Sequence, residues 1–141
     1  ALEEGTLATT LQNLCEEQTE ASGMTFTFEG DAEESLPTDQ ETATHLYRIA
    51  YEALTNALRH AEADQTWISL QRTEEALVLT VRDNGVGLPP DTPLNGSDGL
   101  GLRTMKYRAN LIGAHLTIGP RPDDEGTIVR CELPLSQAKG S

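Results

Sequence analysis

Residues 82–104 read RDNGVGLPPDTPLNGSDGLGLRT and directly follow an alternating apolar run at residues 77–81. The stretch contains five glycines and three prolines. Asn-Gly after alternating apolar residues is typical of a hairpin turn, but the adjacent Pro89 and Pro90 would remove hydrogen-bond donors from a following strand. We therefore interpret the stretch as a loop around a ligand.

Asp83 and two glycines form one edge of this predicted ligand site. Asp83 stands at the end of the predicted strand, where its carboxylate can accept hydrogen bonds from a bound molecule. Gly85 and Gly87 allow the backbone to pass close to a flat ligand. An exocyclic amine, such as that of adenine, is a natural donor to the carboxylate.

A second pair of glycines opens the next predicted helix, at residues 103–112. The pair belongs to the four residues directly before that helix, Gly99, Leu100, Gly101 and Leu102. Glycines at a helix N-terminus offer backbone N–H groups and the positive end of the helix dipole to an anion. Arg103 and Lys106 add positive charge, so we expect a phosphate site here.

Residues 88–98 connect the two glycine pairs. Their polar, proline-rich composition is typical of a mobile cover over a site. An ordinary surface loop has the same composition, and both interpretations remain open.

The longest predicted helix carries a polar stripe beside its apolar one. This stripe consists of Glu52, Asn56, Arg59 and His60. A solvated flank of the helix would look similar. Asn56, however, is a mediocre helix former in a strong helix, and its side-chain oxygen could bind Mg²⁺, which commonly takes one or two protein oxygens beside substrate phosphates. Arg59 and His60 could face phosphate charge, and Glu52 could orient a water or accept a proton.

The remaining pattern predicts an α/β two-layer sandwich, with about three helices on one face of a mixed sheet of about five strands. The predicted helices lie at residues 2–22, from a capping box at residues 38–41 to near residue 61, and at residues 103–112. The predicted strands lie at residues 24–29, 67–72, 76–82, 114–118 and 127–133. Gly23 is expected to end the first helix.

Length and charge limit the classes of function. The 141 residues suffice for one domain, at residues 1–141, and the net charge of -13 argues against nucleic acid or an anionic membrane as a partner. Cys15 and Cys131 are interpreted as buried thiols in a reducing compartment, which favours the cytoplasm. The chain begins at Ala1, so we expect a fragment of a longer protein.

These motifs together resemble the GHKL ATPase superfamily, whose Bergerat nucleotide-binding fold occurs in histidine kinases, Hsp90, type II topoisomerases and MutL. YEALTNALRHA at residues 51–61 resembles the N box, DNGVG at 83–87 the G1 box and GLGL at 99–102 the G2 box. Gly126 and Thr127 resemble the last element of the pattern. Sensor kinases of the nitrate/nitrite-sensor and DesK group are most similar, with residues 88–98 as their short ATP lid.

The resemblance implies a role for each residue that matches a motif. Asn56 would bind Mg²⁺, Asp83 the adenine amine, and Gly85 and Gly87 the adenine wall. The GLGL stretch would bind the phosphates, with Arg59 and His60 nearby. Thr127 would help to hold Asp83 and a water, and Glu52, which occupies the place of a general base in hydrolytic members, would only position other groups.

The implied activity is that of a histidine kinase catalytic domain with ATP and Mg²⁺ as cofactors. In the full protein, an inner-membrane sensor and homodimer, the γ-phosphoryl group would pass to a histidine on a separate dimerisation domain and then to a response regulator. His45, His60 and His115 match no phosphoacceptor context, so the domain alone is expected to be a monomer that does not phosphorylate itself. The alternatives are a serine kinase or anti-sigma factor of the same superfamily, or a nucleotide-sensing module without turnover.

Overall fold

A computed structural model describes residues 6–30, 39–60, 63–86, 101–121 and 126–135. These residues form three helices and five strands. In chain order they are α1 (Leu7–Ser22), β1 (Thr25–Gly30), α2 (Gln40–His60), β2 (Gln65–Arg72), β3 (Ala76–Asp83), α3 (Leu102–Leu111), β4 (His115–Pro120) and β5 (Thr127–Pro134). The predicted order of elements is confirmed, and the strand before the glycine-rich loop extends to Asp83.

The five strands form one mixed sheet with the order β1-β2-β3-β5-β4. β1 runs parallel to β2, and the other neighbours are antiparallel. The parallel pair follows from the connection through α2, because a parallel neighbour requires a long crossover. β3 is central, and its last residue therefore lies between β2 and β5.

The core lies between the helices and one face of the sheet. Alternate residues of the central strand, Leu77, Leu79 and Val81, are buried there, as period-two alternation requires. The apolar stripe of α2 covers them, with Leu46, Ile49 and other residues at helical spacing buried. The predicted two-layer sandwich is confirmed.

The helix ends follow local capping rules. Thr6 Oγ1 accepts a hydrogen bond from the Thr9 N–H at 3.0 Å, and Gly23, with φ of 78°, ends α1 as predicted. At α2, Asp39 Oδ1 accepts the Thr42 N–H at 2.7 Å. The predicted capping box at residues 38–41 is therefore wrong by one residue, because the Asp39 carboxylate is a charged acceptor at the positive end of the helix.

Both cysteines are free and buried, as predicted. Burial raises the pKa of the Cys15 and Cys131 thiols to about 12. Within the described ranges, no helix is long and apolar enough to cross a membrane.

Candidate functional site

Asp83 is the centre of a row of three side chains that crosses the sheet. It is buried, with 6% of its surface exposed. Thr66 of β2 lies directly opposite it, and the pairing of Arg82 with Ile128 makes Thr127 of β5 the next partner on the other side. We call Thr66, Asp83 and Thr127 the cross-strand row, and all three face the helices.

The carboxylate of Asp83 is fixed by backbone donors. Its Oδ1 accepts hydrogen bonds from the Gly85 N–H at 2.9 Å and from the Thr127 N–H at 3.3 Å. Burial raises the pKa of Asp83, while these two bonds and the charge of Arg121 act in the opposite direction. In the described part of the chain, Oδ1 accepts both of these hydrogen bonds. Oδ2 can therefore accept a hydrogen bond from a ligand.

Behind Asp83 the backbone is closely packed. Gly126 has φ of 116°, and a Cβ at this position would overlap the Asp83 carbonyl oxygen. Arg121 Nη1 donates a hydrogen bond to the same oxygen at 3.2 Å. Sequence reasoning missed Arg121, because its place directly after a strand carries no motif.

The opposite face of the sheet carries a stack of charged and aromatic groups. The guanidinium groups of Arg82 and Arg121 lie 5.0 and 5.4 Å from the centre of the Trp67 ring. Arg82 also pairs with Glu29 at 2.9 Å. The stack supports the ends of β2 and β3 from the side away from the helices.

The Asn84 side chain connects β3 to the segment that begins β2. Its Oδ1 accepts the backbone N–H groups of Asp64 and Gln65, both at 2.9 Å. These bonds tie the end of β3 to the start of β2. Gly87 and the lid at residues 88–98 lie outside the described residues.

The polar stripe of α2 faces the start of α3. Glu52 and Asn56 are half-buried and one turn apart, whereas Arg59 is exposed. His60 is the last residue of α2, and its side chain lies outside the described atoms. The stripe is therefore partly covered, unlike the fully solvated flank that its composition also allowed.

Gly101 and Glu52 meet where α3 begins. Gly101 is the N-cap of α3 with φ of 72°, and a Cβ there would overlap the Glu52 carboxylate. The carboxylate thus lies near the positive end of the α3 dipole. Leu102 is completely buried in the core, so any contact of Leu102 with an anion would use its backbone N–H. Gly99 and Leu100 are outside the described residues.

Residues 41–137 match the profile of a family described as "Histidine kinase-, DNA gyrase B-, and HSP90-like ATPase". The chain is 39% identical over 98 residues to the oxygen sensor histidine kinase NreB of Staphylococcus carnosus, which covers 70% of this chain and 28% of NreB. It is 40% identical over 93 residues to the sensor protein VraS of Staphylococcus saprophyticus, which covers 66% of this chain and 26% of VraS. The chain thus spans about a quarter of the length of these relatives.

Solved structures have the same architecture. The histidine kinase domain of the Erythrobacter litoralis blue-light activated histidine kinase superposes with a TM-score of 0.79 at 28% identity, over 95% of this chain and 63% of that chain. The catalytic domain of histidine kinase ThkA superposes with a TM-score of 0.70 at 20% identity, over 93% of this chain and 92% of that chain. At this identity the similarity shows a shared fold alone. With the family profile matching more than half of its residues, the chain belongs to the histidine kinase-, DNA gyrase B- and HSP90-like ATPases.

Proposed function

We propose that this domain binds ATP with Mg²⁺ as the catalytic domain of a two-component sensor kinase. In the full-length protein it donates the γ-phosphoryl group to a histidine on a separate dimerisation domain, for relay to a response regulator aspartate. The observation that carries the proposal is the buried Asp83 carboxylate, fixed at the end of a central strand by two backbone N–H groups. The family match and the sensor-kinase names of the relatives support it.

The base binds at Asp83 in this proposal. The ionised carboxylate accepts a hydrogen bond from the exocyclic amine of adenine, and a buried bond of this kind is stronger than one in water. Gly85 and Gly87 form the wall beside the ring. Thr127 keeps the carboxylate in place through its N–H.

The phosphates bind at the start of α3. The backbone N–H groups of the GLGL stretch (residues 99–102) donate to them, and Arg59 and His60 supply positive charge. Glu52 acts on Gly101 rather than on the nucleotide, because its carboxylate packs against this glycine. We therefore assign Glu52 a positioning role.

Asn56 is the proposed protein ligand of Mg²⁺. The described residues contain no group of three or more His, Cys, Asp or Glu side chains that could hold a metal. A single half-buried amide oxygen on α2 fits Mg²⁺, which commonly combines one protein oxygen with nucleotide phosphates and waters. When bound, the ion neutralises phosphate charge, while the chain contributes positioning.

The phosphoacceptor histidine belongs to another domain in this proposal. His45 Nδ1 lies 3.2 Å from Arg108 Nη1, so this ring joins α2 to α3, and His115 is exposed on β4. We expect the domain alone to be monomeric and to bind ATP in the cytoplasm without phosphorylating itself. The full-length protein is proposed to be a homodimeric membrane sensor.

Calorimetric titration with ATP, in the presence and absence of Mg²⁺, tests nucleotide binding. We expect saturable binding by the wild type and a loss on the order of 100-fold for Asp83→Asn, because a charged hydrogen bond is removed. Asp64→Asn is the matched control, since Asp64 is an exposed acid at the same end of the sheet. A folded wild type that does not bind ATP would contradict the proposal.

Phosphotransfer requires the full-length protein and radiolabelled ATP. We expect an acid-labile phosphohistidine that disappears with Asp83→Asn. An acid-stable phosphoserine on a partner protein would instead identify a serine kinase, and binding without any transfer would identify a nucleotide sensor.

A further inference from the structure

The two edges of the sheet differ in how their backbone groups are protected. In the described part of the chain the edge strands are β1 and β4. At β1, Thr19 Oγ1 of α1 accepts the Phe26 N–H at 2.9 Å and donates to the Phe26 carbonyl at 3.2 Å. One helical side chain thus occupies both edge groups of Phe26. Protection of this kind keeps an edge strand from pairing with another chain.

The middle of β4 has no such protection among the described residues. Beyond its end, the Arg121 N–H donates to the Gly126 carbonyl at 3.2 Å. Hydrogen-bonded and non-hydrogen-bonded pairs alternate along antiparallel strands, so Ile118 and Leu116 form non-hydrogen-bonded pairs with β5. Their N–H and C=O groups therefore point away from β5, and no described strand lies on that side.

The side chains of Leu116 and Ile118 complete this free edge. Both pack against the core on the helix side of the sheet, and both remain half-buried. Thr117, between them, is exposed on the outer face. An additional strand would pair with the backbone and cover the two aliphatic side chains, which is the arrangement used when an extended peptide adds to a sheet.

α3 places a polar flank beside the free edge. Arg108 of α3 contacts His45 of α2 at 3.2 Å, so the opposite flank of α3 faces away from α2. Because β4 is the edge strand beyond β5, that flank lies on the side of the free edge. Arg103, Lys106 and Asn110 recur there at helical spacing. The flank therefore presents two cations and an amide to an added strand.

The charge of this region is opposite to that of the whole chain. Residues 101–121 contain four of the ten basic residues and none of the 23 acidic ones, although the net charge of the chain is -13. A positive region on an acidic domain favours an acidic partner. A second copy would instead place two positive α3 flanks next to each other, so the charge argues against self-pairing at this edge.

We propose that the free edge of β4 binds an extended acidic segment of a partner protein as a sixth strand. The backbone of this segment exchanges hydrogen bonds with Leu116 and Ile118. Its helix-facing side chains are acidic, so that their methylene groups cover Leu116 and Ile118 while their carboxylates face Arg103 and Lys106. The side chains on the outer face lie beside Thr117, where β-branched residues fit best.

Hydrogen exchange followed by NMR tests the backbone pairing. The probe is a capped peptide in which Glu and Thr alternate. We expect it to slow exchange of the Leu116 and Ile118 amides about 10-fold, while the Thr117 amide, which already faces β5, does not change. The same peptide with N-methyl groups on alternate residues cannot complete the ladder and should protect neither amide.

A charge reversal tests the contact with α3. We expect Lys106→Glu to weaken binding of the Glu/Thr peptide about 10-fold and to strengthen binding of a Lys/Thr peptide, measured by fluorescence anisotropy. Arg72→Glu is the matched control, because Arg72 is an exposed cation at the end of β2, and it should change neither affinity. Ile118→Pro removes an edge N–H but no bond to β5, so it should weaken binding in a folded domain.

Three results would overturn the inference. These are equal binding of the Glu/Thr and Lys/Thr peptides, equal protection by the N-methylated peptide, and sedimentation that shows a wild-type dimer abolished by Ile118→Pro. The last result would assign the edge to a second copy of the chain. ATP titration of the domain is a separate measurement, so failure of the inference leaves the proposed function intact.

Discussion

The guanidinium of Arg121 donates a hydrogen bond to the backbone carbonyl of Asp83, at 3.2 Å and across 38 residues of sequence. The same guanidinium lies over the Trp67 ring. One side chain thus connects the end of β3, the end of β4 and the outer face of β2. It holds the backbone of Asp83 while its guanidinium lies against Trp67 on the outer face of the sheet.

Arg121→Ala is expected to destabilise the domain by about 1 to 3 kcal/mol, because it removes a charge-assisted hydrogen bond and a cation–π contact. Urea unfolding followed by circular dichroism measures the change. Arg130→Ala is the matched control, since Arg130 forms an exposed pair with Glu132 at 3.0 Å. We expect Arg130→Ala to lower the free energy of unfolding by less than about 1 kcal/mol. Equal effects of the two substitutions would contradict the assigned role of Arg121.

Gly126→Ala is expected to cost more than Gly23→Ala. Both glycines have positive φ, which costs a residue with a side chain about 1 to 2 kcal/mol. A Cβ at Gly23 meets nothing within 4 Å, whereas one at Gly126 overlaps the Asp83 carbonyl. We expect this overlap to add about 1 to 3 kcal/mol to the loss of stability caused by Gly126→Ala. Thermal unfolding of the two variants checks the difference, and similar losses would show that Asp83 moves freely.

Glu52 and Gly101 should be energetically coupled. Gly101→Ala places a methyl group in the position of the Glu52 carboxylate, so we expect a large loss of stability in the wild type and a smaller loss in a Glu52→Ala background. The coupling free energy should be about 0.5 to 3 kcal/mol by double-mutant cycle. Glu41→Ala, in the exposed first turn of α2, serves as the control and should combine additively with Gly101→Ala.

Asp83 should make both stability and nucleotide affinity depend on pH. Its pKa is raised above the ordinary 3.8, chiefly by burial, so the folded state binds the proton more tightly than the unfolded state. Its contribution to stability is complete below the unfolded pKa and is lost as pH rises through the folded pKa. We therefore expect Asp83→Asn to stabilise the nucleotide-free domain at neutral pH, with an advantage that shrinks in acid.

The same titration should weaken ATP binding in acid, because a protonated Asp83 is a poorer acceptor for an amine. Calorimetry between pH 7 and the acid limit of folding measures the midpoint, which should lie above 3.8. A midpoint below this value, or a wild-type pH profile in Asp83→Asn, would contradict the assignment.

Periodicity predicted the elements because it records which face of each is buried. The stripe of α2 and the alternation of β3 need no partner to be recognised, and Gly23 ends α1 by a local rule. The position of Asp83 could also be predicted from the local sequence, because it is an acidic residue at the end of an alternating strand and directly before a glycine-rich stretch. The positions of Glu52 and Asn56 on one side of α2 also follow from helical spacing alone.

Contacts between distant segments were not predictable from these patterns. β5 lies between β3 and β4, and this insertion brings Gly126, Thr127 and Arg121 to Asp83. Thr66 faces Asp83 because of the register of two strands, which an alternating sequence leaves undetermined. The cap at Asp39 was missed by one residue because Thr38 and Asp39 are both residue types that cap helices, and the sequence pattern does not choose between them.

The separation of 44 residues between Asp83 and Thr127 also has a consequence for the order in which the domain assembles. β2 and β3 are neighbours in sequence and can pair early, while Asp83 is still hydrated on one side. β5 follows α3 and β4 in the chain, so its arrival both removes water from the carboxylate and supplies the Thr127 donor. We therefore expect the cost of burying this carboxylate to fall in a late step of folding, together with the hydrogen bond that offsets it.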